Sequence, residues 1–145
     1  MTEEPVVAFI DGGARGNPGE AGCGIVLRFS DGRVEEHTVY LGHATNNVAE
    51  YAALLAALER LLAGGARAVE VRSDSELLVK QMTGAYRVKA VHLQGPWLRA
   101  QELAREFSRF RIAHIPRAAN AAADRLANQA MDGRTSTLSR PQGLS

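Results

Sequence analysis

Apolar and polar positions alternate between two periods along this chain, and the switches mark its elements. Val6-Val-Ala-Phe-Ile10 is a short β-branched run and reads as a buried strand. Gly22 to Phe29 and Val34 to Leu41 read as two more strands, joined by a hairpin in which Asp31-Gly32 suits a tight turn. Between the first two strands, Gly12 to Gly19 (GGARGNPG) reads as a loop, because Gly and Pro interrupt regular structure. The period then changes. Tyr51, Leu54, Leu55, Leu58, Leu61 and Leu62 form one helical stripe, with candidate N-caps at Thr45 to Asn47 and a stop at Gly64-Gly65. Ala68 to Ser73 is a strand, and Ser75 to about Met82 a short helix. Thr83 to Val91 reads as irregular, Trp97 to Phe107 as a helix with Pro96 near its start, Phe110 to Ile115 as the last strand, and Asn120 or Ala121 to Met131 as the last helix.

The order βββ-α-β-α-α-β-α predicts an α/β fold: one mixed five-stranded sheet flanked by helices. One domain is expected over residues 1–132. Residues 133–145, rich in Ser, Thr, Pro and Gly without an apolar period, are expected to be a disordered tail.

Composition adds little. Of 145 residues 46% are hydrophobic and 23% charged, an ordinary balance for one globular domain. A lone cysteine, Cys23, reads as a small buried apolar residue and points to a reducing cytoplasm. No signal peptide and no membrane span is read, since the most apolar stretch, Ala52 to Ala63, is short and carries Glu59 and Arg60. A net charge of +1 neither demands nor excludes nucleic acid.

Four acids change the picture. Asp11 and Asp74 stand at the ends of strands, where side chains of α/β sheets converge. At about 100° per residue, Glu50 lies on the margin of the Leu54–Leu58–Leu61 stripe, and Asp124 shares a flank with Ala127 and Met131. Each has a bland reading: Asp11 as a turn residue, Asp74 as a helix cap, Glu50 as a helix-dipole partner, Asp124 as a mate for Arg125 or Arg117. Four carboxylates near apolar surface, without an equal supply of core-side bases, suit a divalent cation better, and Mg²⁺ takes oxygen ligands. The glycine-rich segment lacks the Gly-Lys-Ser/Thr ending of a nucleotide-binding loop, and a strand follows it, which argues against an NTPase and leaves a loop whose backbone a polynucleotide could approach closely.

Asp11-Gly-Gly-Ala-Arg-Gly-Asn-Pro-Gly19, Thr45-Asn-Asn-Val-Ala-Glu50, Ser73-Asp74-Ser75 and Asn120-Ala-Ala-Ala-Asp124-Arg-Leu-Ala127 resemble, in order and spacing, the motifs of type 1 ribonucleases H. The resemblance spans roughly residues 6–131 and implies the ribonuclease H-like fold. It also implies endonucleolytic hydrolysis of the RNA strand of an RNA–DNA hybrid, leaving a 5′-phosphate and a 3′-hydroxyl. Two Mg²⁺ (or Mn²⁺) ions would be held by Asp11, Glu50, Asp74 and Asp124, one activating water and the other stabilising the leaving oxygen. It further implies hybrid contacts from Asn17, Thr45, Asn46 and Asn47, and a 2′-hydroxyl contact at the backbone of Gly12, Gly13 and Ala14.

Three departures accompany it. The basic protrusion of many bacterial members is missing, since Tyr86 to Leu93 holds only Arg87 and Lys89 as bases. Glu76 stands where a Gln often makes a sugar contact. No histidine occupies the loop before the last helix; His114 reads as a structural residue of a strand, and Arg117 becomes the candidate that stabilises phosphate charge, as in a compact subgroup. Trp97 reads as core. The chain is expected to act as a monomer on a hybrid, without a membrane. Two rivals are a same-fold nuclease acting on another nucleic acid, separable by substrate, and a non-catalytic hybrid-binding module, separable by lack of turnover.

Overall fold

The computed structural model describes residues 4–144; Met1 to Glu3 and Ser145, at the ends of the expected domain and tail, lie outside the described residues. Five strands form one sheet: β1 (Val6–Arg15), β2 (Gly19–Arg28), β3 (Val34–Ala44), β4 (Ala68–Ser73) and β5 (Arg109–His114). Their order is β3-β2-β1-β4-β5; β1, β2 and β3 pair antiparallel, while β1–β4 and β4–β5 are parallel. This is the mixed sheet expected from the element order. The parallel strands need crossovers, and the helices α1 (Asn46–Ala63), α2 (Glu76–Met82) and α3 (Val91–Arg105) supply them. The last helix is α4 (Ala121–Gly133).

Side-chain parity divides the sheet. Val6, Ala8 and Ile10 of β1 face α1 and are buried with Val69 and Val71 of β4 and Ile25 and Leu27 of β2. The opposite parity, Phe9, Asp11 and Gly13, faces α4, which packs on β2, β1 and β3. Most of the core thus lies between the sheet and α1, and burying that many Leu, Ile and Val side chains is the main stabilising contribution. Cys23 is fully buried, its Sγ 3.4 Å from Ala49 O. Trp97 packs against the core while its indole N–H donates to Gln81 O at 3.1 Å, so both readings of these residues agree with the structure.

Three expectations are corrected. First, the glycine-rich segment is not a loop throughout. β1 runs on to Arg15 and β2 starts at Gly19, with only residues 16–18 turning. Gly16, at φ +87°, serves the turn, but Gly12 serves packing: a Cβ there would stand 2.2 Å from Ala49 O of α1, as one on Gly24 of β2 would stand 2.1 Å from Ala123 O of α4. Both faces of the sheet take a helix backbone at closer range than any side chain allows.

Second, α3 begins at Val91, so Pro96 sits inside it rather than near its start. Proline lacks an N–H and its Cδ crowds the preceding residue's Cβ; here that residue is Gly95, which has none.

Third, the tail expected to be disordered lies against β3. Thr137 N donates to Thr38 O (2.8 Å), and the hydroxyls of Thr137 and Ser136 accept from the backbone N–H groups of Thr38 (2.9 Å) and Tyr40 (2.8 Å). Arg140 then donates to Leu41 O (2.9 Å), and Leu138 packs on the core. Composition missed this because hydroxyl side chains can satisfy the free edge of a strand without an apolar period. Ending the chain after Gly133 is expected to destabilise it by about 1–3 kcal/mol, from lost hydrogen bonds less their replacement by water. An unchanged thermal melt would show that the tail contributes nothing.

Candidate active site

The site forms where β4 ends beside the middle of β1, so Asp11, expected at a strand end, stands within a strand that runs on to Arg15 along β2. Ile10 pairs with Ser73, which brings Asp11 next to Asp74. Asp74 is released from one bland alternative: the α2 cap is Ser75, whose hydroxyl accepts from Leu78 N at 3.2 Å. Thr45 caps α1 by accepting from Val48 N at 3.2 Å, and Glu50 follows on the side of the helix turned to β1. Its Oε1 accepts from Gly12 N at 3.2 Å, whereas its Oε2 is buried with no hydrogen-bond partner. Carboxylate oxygens of Asp11, Glu50 and Asp74 lie within 4.8 Å of one another. Asp124 comes from the first turn of α4 and lines the same pocket, near enough for its charge to bear on Asp11.

Crowding shows in the protonation of this cluster. Burial, followed by the negative charges of Asp74 and Asp124, pushes the Asp11 carboxyl up to about 7. Burial first, then the Asp11 charge, pushes Glu50 well above the carboxylate range. The four acids and the orphaned Glu50 oxygen are an all-oxygen donor set without a base inside it. Divalent Mg²⁺ or Mn²⁺ fits that chemistry, and a bound cation would remove the repulsion that raises both groups.

Around the acids opens a pocket of about 550 Å³. One wall is the backbone of Gly12 to Ala14 and the start of α1, with Asn46 and Asn47. Asn46 Oδ1 accepts from Ala14 N (2.8 Å), and Asn46 N donates to Asn17 Oδ1 (3.0 Å). Those bonds fix the amide of Asn46 with its Nδ2 donor free among the described residues. Thr45 and Asn17 stand behind the lining and hold it. Glu76 is not brought in; it is exposed and paired to Lys80 at 3.0 Å, which also lowers its carboxyl's pKa. Arg117 opens a single 3-10 turn, Arg117–Asn120, and lines the pocket. His114, the last residue of β5, is exposed with its Nε2 3.3 Å from Asp74 O, outside the lining.

Sequence reasoning passed over the residues that hold α4 in place. Asn120 is buried and its Nδ2 donates to Ile10 O at 2.8 Å, one residue before Asp11. Arg15 reaches across to Asp132 (2.6 Å) and Asn128 (2.8 Å). Asp124, Asn128 and Asp132 recur every four residues, so they share one face of α4. That spacing was the available signal. The two ties bracket Asp124 and set its distance from Asp11.

Comparison with known proteins agrees with this geometry. The family described as reverse transcriptase-like matches residues 9–130. The chain is 48% identical over 128 residues to ribonuclease HI of Halobacterium salinarum, covering 88% of this chain and 64% of that protein. It is 46% identical over 129 residues to a bifunctional protein of Mycobacterium tuberculosis, covering 88% of this chain but 35% of that one. The chain therefore spans less than two thirds of the length of these curated relatives. Among solved structures, ribonuclease H1 of Halobacterium salinarum superposes with a TM-score of 0.86 at 46% identity, covering 90% of this chain and 99% of that one. LC11 ribonuclease H1, isolated from compost and solved with an RNA/DNA hybrid, gives 0.83 at 44% identity, covering 89% and 98%.

Proposed function

The chain belongs to the reverse transcriptase-like family, and within it to the type 1 ribonucleases H, and on that premise we propose that it is an endonuclease that hydrolyses the RNA strand of RNA–DNA hybrids. The observation that carries the reading is the convergence of Asp11, Glu50 and Asp74 within 4.8 Å, with Asp124 in the lining of the same pocket.

In this reading Asp11, Glu50, Asp74 and Asp124 hold two divalent cations, Mg²⁺ or Mn²⁺. When bound, they supply Lewis acidity at the phosphate and a water activated for attack, giving a 5′-phosphate and a 3′-hydroxyl. The chain's own residues do the rest. Asp11 lies within 4.8 Å of Glu50 and Asp74 and lines the pocket with Asp124, so it would be the group best placed to be shared. Gly12 N keeps Glu50 aimed at the cluster. The Asn46 amide nitrogen donates to a phosphate or sugar oxygen, and Asn47 lies beside it in the lining. With Gly12 N and Ala14 N already engaged, the narrow wall they form lets a ribose approach the backbone closely, and its 2′-hydroxyl is the group that separates RNA from DNA. Arg117 places a permanent positive charge at the rim for the phosphate and cannot act as a base. Action as a cytoplasmic monomer is part of the same proposal, supported by a lone, buried cysteine. Among the described residues no helix is long and apolar enough to cross a membrane.

The test is incubation of a uniform, end-labelled RNA–DNA hybrid with and without Mg²⁺, beside double-stranded DNA and double-stranded RNA. Cleavage of the hybrid's RNA strand only, with Mg²⁺ only, is expected. Preferred cleavage of either other duplex would assign a same-fold nuclease of another class, and hybrid binding without turnover would leave a binding module.

A further inference from the structure

Helix α4 covers only part of its sheet face. It seats over Gly22 and Gly24, reaches β1 at Gly13, and leaves the β4–β5 side of that face and the start of β1 uncovered. Register places two rows of side chains there. One runs Arg28, Val7, Glu70, Arg111 across β2, β1, β4 and β5; the next runs Val26, Phe9, Arg72, Ala113. Arg28 and Arg72 both lie over the Phe9 ring, at 5.2 and 5.4 Å from its centre. The one acid of the two rows, Glu70, is paired with Arg72 at 2.7 Å. Arg28 and Arg111 are exposed and meet no carboxylate among the described residues. In a chain of net charge +1, this is a local, uncompensated positive surface.

We propose that this open sheet face is a second nucleic-acid surface, which takes the phosphate backbone of the strand flanking the scissile site. The inference rests on the nuclease reading and extends it beyond the pocket. Three observations favour a polynucleotide. Phe9 is two residues before Asp11 on the same face of β1, about 6.6 Å along the strand, and Arg72, its partner on β4, is two residues before Asp74, so the patch adjoins the acid cluster. Arg117 stands on the 3-10 turn that follows β5 and lines the pocket, which adds a positive charge beside the acids. The guanidiniums are pre-ordered on an aromatic ring over a rigid sheet, which reduces the entropy lost on forming a phosphate contact. Because the Phe9 ring is occupied by those guanidiniums, bases have no platform there. The contact is to backbone and is indifferent to sequence. It also accounts for where hybrid affinity comes from in a chain with only Arg87 and Lys89 in the segment where relatives carry a basic protrusion.

The test uses the full chain and the double variant Arg28→Gln/Arg111→Gln, with Arg28→Lys/Arg111→Lys as the charge-retaining control. Fluorescence anisotropy with Ca²⁺ measures binding of hybrids of about 8 and about 20 base pairs that share a central sequence. For the Gln variant, affinity for the long hybrid is expected to fall about 5–10-fold at low salt, and the log–log salt slope to shrink by roughly 2, near 0.9 per phosphate lost. Affinity for the short hybrid, and kcat with Mg²⁺, should stay at the wild-type level, and Lys should restore binding. Unchanged long-hybrid affinity overturns the proposal. So does an equal loss on both lengths, which would place the arginines in the pocket's own field. Polyglutamate bound as tightly as the long hybrid, and lost alike in the variant, would make the face an acidic-partner surface instead. Wild-type chain that cleaves neither hybrid would sink the nuclease reading alone, because the anisotropy comparison still decides whether the surface binds nucleic acid.

Discussion

Asp11→Asn is expected to abolish hybrid cleavage and, at the same time, to raise the thermal stability of the metal-free protein. The loss follows from position: Asp11 lies within 4.8 Å of Glu50 and Asp74 and shares the pocket with Asp124, so removing its charge weakens every part of the cation site. Losing about 4 kcal/mol of charge stabilisation corresponds to about 10³-fold in rate. The gain in stability follows from the same crowding. Unfolded, Asp11 ionises near 3.8; folded, burial and the Asp74 and Asp124 charges hold its proton up to about 7. The folded state therefore binds more protons between those values, and stability falls as pH rises from about 4 to about 7, then levels. Asparagine carries no such penalty, and at pH 8 the metal-free variant should be more stable by a few kcal/mol. Mg²⁺ reverses the order, since it stabilises only the chain that binds it. Thermal melts at pH 5 and pH 8, with EDTA and with Mg²⁺, read all of this. A variant that cleaves at near the wild-type rate, or one that is less stable than wild type at pH 8 without metal, contradicts the assignment.

The second large effect is expected at Gly12. Gly12→Ala puts a methyl group 2.2 Å from Ala49 O, 2.3 Å from Ala49 C and 2.7 Å from Glu50 N, all backbone atoms of α1. None can swing away as a side chain would, so α1 and β1 must separate. Overpacking of this kind costs about 1–3 kcal/mol, and more where only backbone can yield. The same shift draws Glu50 off Asp11, so activity should fall further than the loss of folded protein explains. Gly13→Ala is the control. Its nearest neighbours would be Met131 Cε at 3.8 Å and Asn46 Oδ1 at 4.0 Å, ordinary contacts, so the fold should tolerate it. Urea melts of the two variants side by side decide the matter. Equal, small losses would mean that the approach of β1 to α1 is looser than the structure has it.

Much of this molecule was legible in its sequence because the deciding interactions are local or periodic. The α1 stripe, the Thr45 cap, the Asp31-Gly32 turn and the alternation along β4 each depend on residues within a turn or two of one another. The four acids were legible for a related reason: each follows an apolar strand run or stands on a helix margin, where its side chain faces inward at a cost, although β1 continues past Asp11 to Arg15. What failed was wherever a distant element decides. Gly12 of the GGARGNPG segment read as a turn residue because nothing nearby shows that α1 presses its backbone against the sheet there. The tail read as disordered because its partners are backbone groups of β3, about a hundred residues earlier in the chain.

The sequence by itself determined the element order, the single mixed sheet, the inward carboxylates and, through its motifs, the family. Periodicity and spacing record which side of each element must leave water. Only the tertiary structure decided which residues hold the acids in register. Asn120 on Ile10 and Arg15 on Asn128 and Asp132 join residues more than a hundred positions apart. It also decided that Glu76 stands outside the pocket, and that Arg28, Arg72 and Arg111, scattered along the chain, share one open face. A strand's pairing partners are chosen by the whole packed sheet, and no local pattern carries that choice.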